Sequence, residues 1–171
     1  MYRNKWLRGC RLQVAGYKFY ANGFLFLLIC SVSLCCNRDK PYYQALPKGF
    51  PAMKIPKDNQ LTEGRIKLGK LLFFDKRLSY DSSIACSSCH RPENAFCDTV
   101  PVSAGVQGRH AVRNAISLGN VGYQPYMFYD GGVPVLELQV LTPIGSHEEM
   151  DFNIPALIKR LAGDQQYHGE L

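Results

Sequence analysis

Apolar residues recur at helical spacing in three segments of the chain, and these segments predict its helices. The first, TEGRIKLGKLLFF, begins at Thr62, whose side chain suits an N-cap position. The second, VPVLELQVL, has Pro134 near its first turn. The third, NIPALIKRLAGD, offers Asn153 as N-cap, Pro155 in the first turn and Gly163 as the stop. The predicted buried side of the first helix consists of Ile66, Leu68, Leu71, Leu72 and Phe73.

The long segment between the first two helices shows no regular pattern. Residues 75–132 are rich in Gly, Ser, Asn and Asp between short apolar clusters. A connection of this length counts against a compact domain, unless a large prosthetic group replaces the missing core. No internal repeat or strand alternation is evident, so the pattern predicts an all-α fold of short helices and long loops. A last helix is predicted to begin at Asp164, and the chain ends inside it.

An apolar run near the N-terminus has a different character. Residues 1–22 carry five cations and no acidic residue, and the run GFLFLLICSVSLCC follows. A basic segment, a short apolar core and then polar NRDK form the layout of a signal peptide. A membrane span needs about 20 apolar residues, so an anchor helix or a buried core helix is the less favoured alternative. Cys35 or Cys36 resembles the start of a bacterial lipoprotein, which predicts export to the periplasm and membrane attachment by an N-terminal lipid.

These features divide the chain into three parts. Residues 1–36 are the predicted signal peptide, residues 37–60 are a Pro- and Lys-rich extended linker or wrapping arm, and residues 61–171 are the predicted domain. The formal net charge is +6, and five of the cations belong to the signal. The rest of the chain is therefore near neutral, which gives no case for nucleic-acid binding.

The cysteines divide in the same way. Four of the seven lie in or beside the signal, and the domain keeps Cys86, Cys89 and Cys97. An odd number of thiols in an oxidising compartment argues against a pure disulfide framework. Two of these cysteines therefore need another use, and Cys97 is most simply a buried free thiol.

The segment Cys86-Ser87-Ser88-Cys89-His90 has the C-x-x-C-H pattern of covalent haem attachment. Two thiols one helical turn apart reach both vinyl groups, and the imidazole after the second thiol ligates the iron. The predicted fold is then a cytochrome c-like haem domain, in which short helices and long loops pack around haem c. A thioredoxin-like pair lacks its βαβ context here. A zinc site using Cys97 or His110 lacks a second pair of ligands.

Further motifs follow one another in order: LGKLLFFDKRLS, CSSCHRPENAF, VRNAISLGNV, FYDGG, LELQ and PIGSHEEM. Together they closely resemble the N-terminal haem domain of bacterial di-haem cytochrome c peroxidases, from about Leu61 to Leu171. The resemblance implies reduction of hydrogen peroxide to water, with the haem on His90 as the peroxidatic site. It also implies a second haem in a C-terminal domain, which takes electrons from a small cytochrome or cupredoxin.

The resemblance also implies roles for individual residues. The acid–base catalyst falls on Glu149 in HEEM, although Glu148 could be the carboxylate that faces inward. The aromatic residue between the two haems corresponds to Tyr129, and Asn114 aligns with a ligand of an inter-domain calcium ion. Each has a simpler alternative: a solvated glutamate, a core or surface tyrosine, and an asparagine that caps a turn.

The chain departs from the family pattern at the distal side of the iron and in its number of haem motifs. Val106 stands where several members have a distal histidine. Either His110 substitutes as the iron ligand, or the iron is permanently five-coordinate. The chain also has no second C-x-x-C-H. We therefore expect a fragment that lacks the electron-entry domain.

The main alternative function is a mono-haem electron carrier. Such a protein needs a sixth iron ligand, for which Met127 or Met150 is available. A methionine in an aromatic-rich stretch such as YQPYMFY is more often core packing. The carrier is therefore less favoured than the peroxidase, and a structural zinc or disulfide module is less favoured than either.

Overall fold

The computed structural model describes residues 39–167, and helices are the regular structure it contains. They are α1 (Glu63–Phe74), α2 (Cys86–Cys89), α3 (Leu136–Gln139), α4 (Leu141–Gly145) and α5 (Ile154–Ala162). Within 39–167 there is no sheet, and extended segments meet only at isolated bridges. The all-α prediction is confirmed. No helix in this part of the chain combines the length and apolar character needed to cross a membrane.

Local capping fixes the two longest helices where the sequence predicts them. The Thr62 hydroxyl accepts from the Arg65 N–H at 3.2 Å and starts α1. The Asn153 side chain accepts from the Ala156 N–H at 3.1 Å and starts α5, with Pro155 in its first turn and Gly163 as its C-cap. Both predicted helices are confirmed. The predicted signal peptide and lipid-bearing Cys35 or Cys36 lie outside the described residues.

The predicted single helix over VPVLELQVL is wrong in its extent. The structure has two short helices, and α3 ends at Gln139. Pro143 explains the break, because a proline cannot bond to the carbonyl four residues before it and its ring crowds that carbonyl. The residue four positions before Pro143 is Gln139. Pro134 lies before the first of the two helices.

The apolar core lies between α1, α4 and α5. It consists of Leu78, Ile144, Met150, Phe152, Leu157, Leu161 and Tyr167, with Leu68, Leu71 and Leu72 packed against it. Arg160 fixes α5 to the turn after α1, since its Nη1 donates to the carbonyls of Arg77 (2.9 Å) and Ser79 (3.0 Å). Its guanidinium carbon also lies 4.0 Å from the Phe152 ring centroid.

The segment before α1 wraps along the domain. The Tyr42 N–H donates to Leu61 O at 3.0 Å, which pairs the segment with the start of α1. Further on, the Tyr123 hydroxyl donates to Pro51 O at 3.2 Å. Met53 packs directly against Gly122, where a β-carbon would lie 2.1 Å from Met53 Sδ. The segment before α1 therefore packs against the loop at residues 121–123.

Candidate haem site

The loops between α1 and α3 surround a cavity of about 450 Å³. This volume is within the roughly 300–1,000 Å³ of cofactor-sized sites. Apolar side chains dominate its wall. The cavity brings together six of the predicted site residues, namely Cys86, Cys89, His90, Asn114, Tyr129 and Glu149.

The C-x-x-C-H pattern forms a single helical turn at the edge of this cavity. The His90 N–H donates to Cys86 O at 3.0 Å, which closes the turn. The Ser88 hydroxyl accepts from the Ala85 N–H at 3.0 Å and fixes the entry to α2. The two thiols are therefore one turn apart on a defined backbone, and the imidazole follows directly.

The imidazole of His90 is oriented by a backbone carbonyl. Its Nδ1 lies 3.2 Å from Phe96 O, and a carbonyl can only accept a hydrogen bond, so Nδ1 carries the proton. This leaves the Nε2 lone pair free to bind a metal. Ala95 and Phe96 both adopt left-handed backbone conformations, with φ of 54° and 57°, and thereby turn this carbonyl toward His90.

The thiols do not resemble a redox or zinc pair. Burial raises the pKa of both Cys86 and Cys89, whereas a redox-active pair needs a lowered thiol pKa. Both thiols are free. Within residues 39–167 no three His, Cys, Asp or Glu side chains are grouped to hold a metal ion. These observations leave haem attachment as the use of the pair that fits best.

Glu149 is the glutamate that faces the cavity. It is half-buried and lines the wall, whereas Glu148 is exposed and accepts from the Ser146 hydroxyl at 3.4 Å. Burial, and secondarily the charge of Glu148, raise the pKa of Glu149 above its ordinary value. A raised pKa makes a carboxylate a stronger base, which suits a group that accepts and returns a proton.

The remaining predicted residues fall into two groups. Tyr129 is 59% exposed at the cavity edge, and the Asn114 amide donates to Val100 O at 3.1 Å. His110 is exposed and lies outside the cavity wall, where its backbone forms a bridge with Ala104. Val106 is fully buried and also lies outside the wall. The calcium role of Asn114 and the distal role of His110 stay predictions.

Both candidate methionines line the cavity. Met150 is also part of the main apolar core, and Met127 is buried where the backbone bridges to Val133. Cys97 lies outside the wall, and its thiol donates to Ala115 O at 2.9 Å. Cys97 is a free thiol as predicted, but it is only partly buried.

Several further polar residues line the wall, and some of them lie within the ordered motifs. Gln139, the last residue of α3, and Arg113 both line the cavity. Arg113 forms an ion pair with Asp130 at 3.0 Å. Both lie within the motifs LELQ and VRNA, so their place in ordered motifs was the available signal.

A mostly helical domain whose C-x-x-C-H turn borders a cofactor-sized cavity defines the class of c-type cytochrome domains. The residues present fit this group: two thiols, a ligand with a free Nε2 and an apolar wall. Residues 63–171 match the family described as "Di-haem cytochrome c peroxidase". The chain belongs to this family, whose members carry haem c.

Individual relatives agree with this membership. The chain is 34% identical to "Methylamine utilization protein MauG" of Methylophilus methylotrophus, over 71% of this chain and 35% of the relative. It is 36% identical to "Cytochrome-c peroxidase IdrP1" of Pseudomonas sp. (strain SCT), over 67% of this chain and 31% of the relative. The chain thus spans about a third of the length of these relatives.

Solved structures show the same fold. A MauG-like protein associated with microbial copper homeostasis superposes with a TM-score of 0.70 at 33% identity, over 75% of this chain and 39% of that one. The diheme peroxidase BthA from Burkholderia thailandensis superposes with a TM-score of 0.59 at 27% identity, over 68% and 34%. The likeness covers one part of each of these longer chains.

Proposed function

We propose that this chain is the peroxidatic haem domain of a di-haem peroxidase and reduces hydrogen peroxide to water. The observation that carries the proposal is the shared cavity of Cys86, Cys89, His90 and Glu149. Family membership supports the chemistry, because relatives are named cytochrome-c peroxidases. The reaction consumes one peroxide, two electrons and two protons and yields two waters.

The residues of the cavity have two proposed roles, which are to bind haem and to transfer protons. Cys86 and Cys89 would bind haem c covalently and His90 Nε2 would ligate its iron. When bound, the haem supplies the site where peroxide binds and the electrons that reduce it. The Glu149 carboxylate would accept a proton from one peroxide oxygen and return it to the other, which would then leave as water.

We propose that neither His110 nor Val106 would ligate the iron. His110 is exposed and paired through its backbone with Ala104, and Val106 cannot ligate. We propose that Tyr129, which is exposed at the cavity edge, would lie beside a second haem domain. We propose that such a domain delivers electrons from a small cytochrome or cupredoxin. Export to the periplasm and lipid attachment belong to the same proposal.

The test is an optical titration of residues 37–171 matured with haem in a periplasm. We expect a covalent haem with high-spin ferric bands that change on adding hydrogen peroxide. Glu149→Gln should lower the rate of that change by about 10²–10⁴-fold, the usual range for a positioned acid–base group. Glu148→Gln, the neighbouring glutamate, should retain most of the rate.

The contrary results are distinct. A low-spin spectrum that is indifferent to peroxide, and that becomes high-spin in Met127→Ala or Met150→Ala, would favour the electron-carrier function. A colourless protein would exclude both haem functions. A Glu149→Gln variant with the wild-type rate would exclude the acid–base role of Glu149 while leaving haem binding intact.

A further inference from the structure

The turn that carries Glu149 is in close contact with a second loop, residues 103–111. Gly105 of this loop lies against the turn so tightly that a β-carbon there would be 2.0 Å from Glu148 O. The Val106 N–H donates to Glu149 O at 2.8 Å. The backbone of Glu149 is therefore held directly by this loop.

The loop has its own internal structure. The Gly105 N–H donates to Arg109 O at 2.8 Å, and the Arg109 N–H donates to Val106 O at 3.1 Å. Gln107 and Gly108 both have positive φ, 56° and 73°, as the two central residues of a tight hairpin turn do. Arg109 is thereby placed at the end of the turn with its side chain directed back over it.

The Arg109 guanidinium joins the loop to the Glu149 turn. Its Nε donates to Val106 O at 3.2 Å and its Nη2 donates to Asp151 Oδ2 at 2.8 Å. Its Nη1 lies 2.7 Å from Nε2 of His147, whose Nδ1 lies 3.2 Å from the same Asp151 oxygen. His147 and Asp151 are the residues two before and two after Glu149. The guanidinium thus contacts His147 and Asp151, which flank Glu149 in the chain. It also contacts Val106, whose N–H donates to the Glu149 carbonyl.

This arrangement suits arginine. The planar guanidinium presents several donors in fixed directions, so one side chain can bond to a carboxylate and a carbonyl at the same time. The Arg109 side chain is 21% exposed and that of Asp151 is 34% exposed, so water competes only in part for these bonds. Asp151 has φ of 48°, so the bond also stabilises a strained end of the turn.

We propose that Arg109 is a positioning residue for Glu149: it clamps the 103–111 loop to the 146–151 turn and so fixes the carboxyl at the cavity wall. The inference rests on the proposed function, because it concerns the acid–base role of Glu149. A displacement of about 1 Å at a catalytic group can cost about 10²-fold in rate. Loss of the clamp is expected to act through such a displacement.

The experiment uses the haem-loaded protein and two kinds of measurement. Arg109→Ala should slow the peroxide-induced spectral change by about ten- to a hundredfold, and Arg109→Lys should recover part of the rate because one bond to Asp151 remains. Arg65→Ala, an exposed arginine at the start of α1, is the matched control and should keep the wild-type rate. Covalent haem content should be equal in all variants.

A double-mutant cycle and amide exchange separate positioning from general damage. The combination Arg109→Ala with Glu149→Gln should be no slower than Glu149→Gln alone, since Arg109 acts through Glu149. Hydrogen exchange at the Val106 amide should accelerate in Arg109→Ala, and exchange within α1 should not. If Arg109→Ala fails to fold, Asp151→Asn replaces it and should slow the reaction in the same way, because asparagine tolerates the left-handed backbone but removes the charge that pairs with Arg109.

The outcomes distinguish this inference from the proposed function. A wild-type rate in Arg109→Ala together with a slow Glu149→Gln would overturn the clamp and leave the peroxidase function standing. Additive losses in the double variant would also overturn it. A wild-type rate in Glu149→Gln would instead remove the acid–base role itself, whatever Arg109 does.

Discussion

The Tyr167 hydroxyl donates a hydrogen bond to the carboxylate of Asp75, which lies at the end of α1, 92 positions earlier in the chain. Tyr167 is fully buried, and the same carboxylate accepts from Arg77 Nε at 2.9 Å. Arg77 in turn pairs with Asp164. This cluster ties the last described turn of the chain to the first long helix.

This cluster predicts an acid-sensitive contribution to stability. Burial would raise the pKa of Asp75, but hydrogen bonds from Arg77 and Tyr167 outweigh it and hold the pKa below its ordinary value. The contribution is therefore fully present above the unfolded-state pKa of about 3.9 and is lost as pH falls below it. Urea unfolding of Asp75→Asn between pH 3 and 6 should show a shallower pH dependence than wild type.

Two variants refine this prediction. Tyr167→Phe should lower the free energy of unfolding at pH 6 by about 1–3 kcal/mol, because a hydrogen bond to a charged acceptor is lost. Asp58→Asn, at an exposed site, is the control and should leave the pH dependence unchanged. If the free energy of unfolding of Asp75→Asn varied with pH as steeply as that of the wild type, Asp75 would not be the source of the acid sensitivity.

A pair of glycines offers a second test. Gly105→Ala should destabilise the protein by about 1–3 kcal/mol, because the new β-carbon would overlap Glu148 O. Gly69 lies inside α1 with no neighbouring atom within 4 Å of the same position, so Gly69→Ala should stabilise by about 0.5–1 kcal/mol. Thermal unfolding of both variants measures the difference. Equal changes in both would contradict the close approach of the 103–111 loop.

Glu148 provides a test of the electrostatics at Glu149. Its negative charge contributes to the raised pKa of Glu149, after burial. Glu149 must be ionised to accept a proton, so the rate should fall as pH decreases through that pKa. Glu148→Gln should shift this acidic limb to lower pH in the profile of the peroxide reaction. Glu93→Gln, at an exposed site, should not move it, and an unmoved limb in Glu148→Gln would refute the coupling.

The three thiols of the domain should differ in their use. Cys86→Ser and Cys89→Ser should each leave a haem with one thioether bond, seen as a red shift of the reduced absorption bands and as lower yield of holoprotein. Cys97→Ser should keep both bonds and the wild-type spectrum, since serine can donate to Ala115 O as the thiol does. Acid extraction of haem from Cys97→Ser would contradict this assignment.

The sequence predicts best where structure is determined locally. Thr62 and Asn153 cap their helices through bonds that span three residues, and the C-x-x-C-H turn is equally short. The split between α3 and α4 was also visible in principle, because Pro143 excludes a continuous helix. The helical spacing of the apolar residues in VPVLELQVL does not by itself indicate this break.

Long-range pairing accounts for what the sequence could not predict. Arg109 forms a hydrogen bond with Asp151, 42 positions further along the chain, and no local sequence pattern predicts this contact. The choice between Glu148 and Glu149 is of the same kind, because the two lie in an irregular turn without helical or strand periodicity. Contacts distant in sequence, such as the bond from the Val106 N–H to Glu149 O, hold the turn in which Glu149 faces the cavity.

The position of Cys86 and Cys89 on the cavity wall constrains how the protein matures. Both thiols are partly buried in that wall. If haem is attached there as proposed, we expect attachment to precede the final packing of the surrounding loops. The attached haem would then stabilise the packed loops, because a group held only by the folded state shifts the folding equilibrium toward that state.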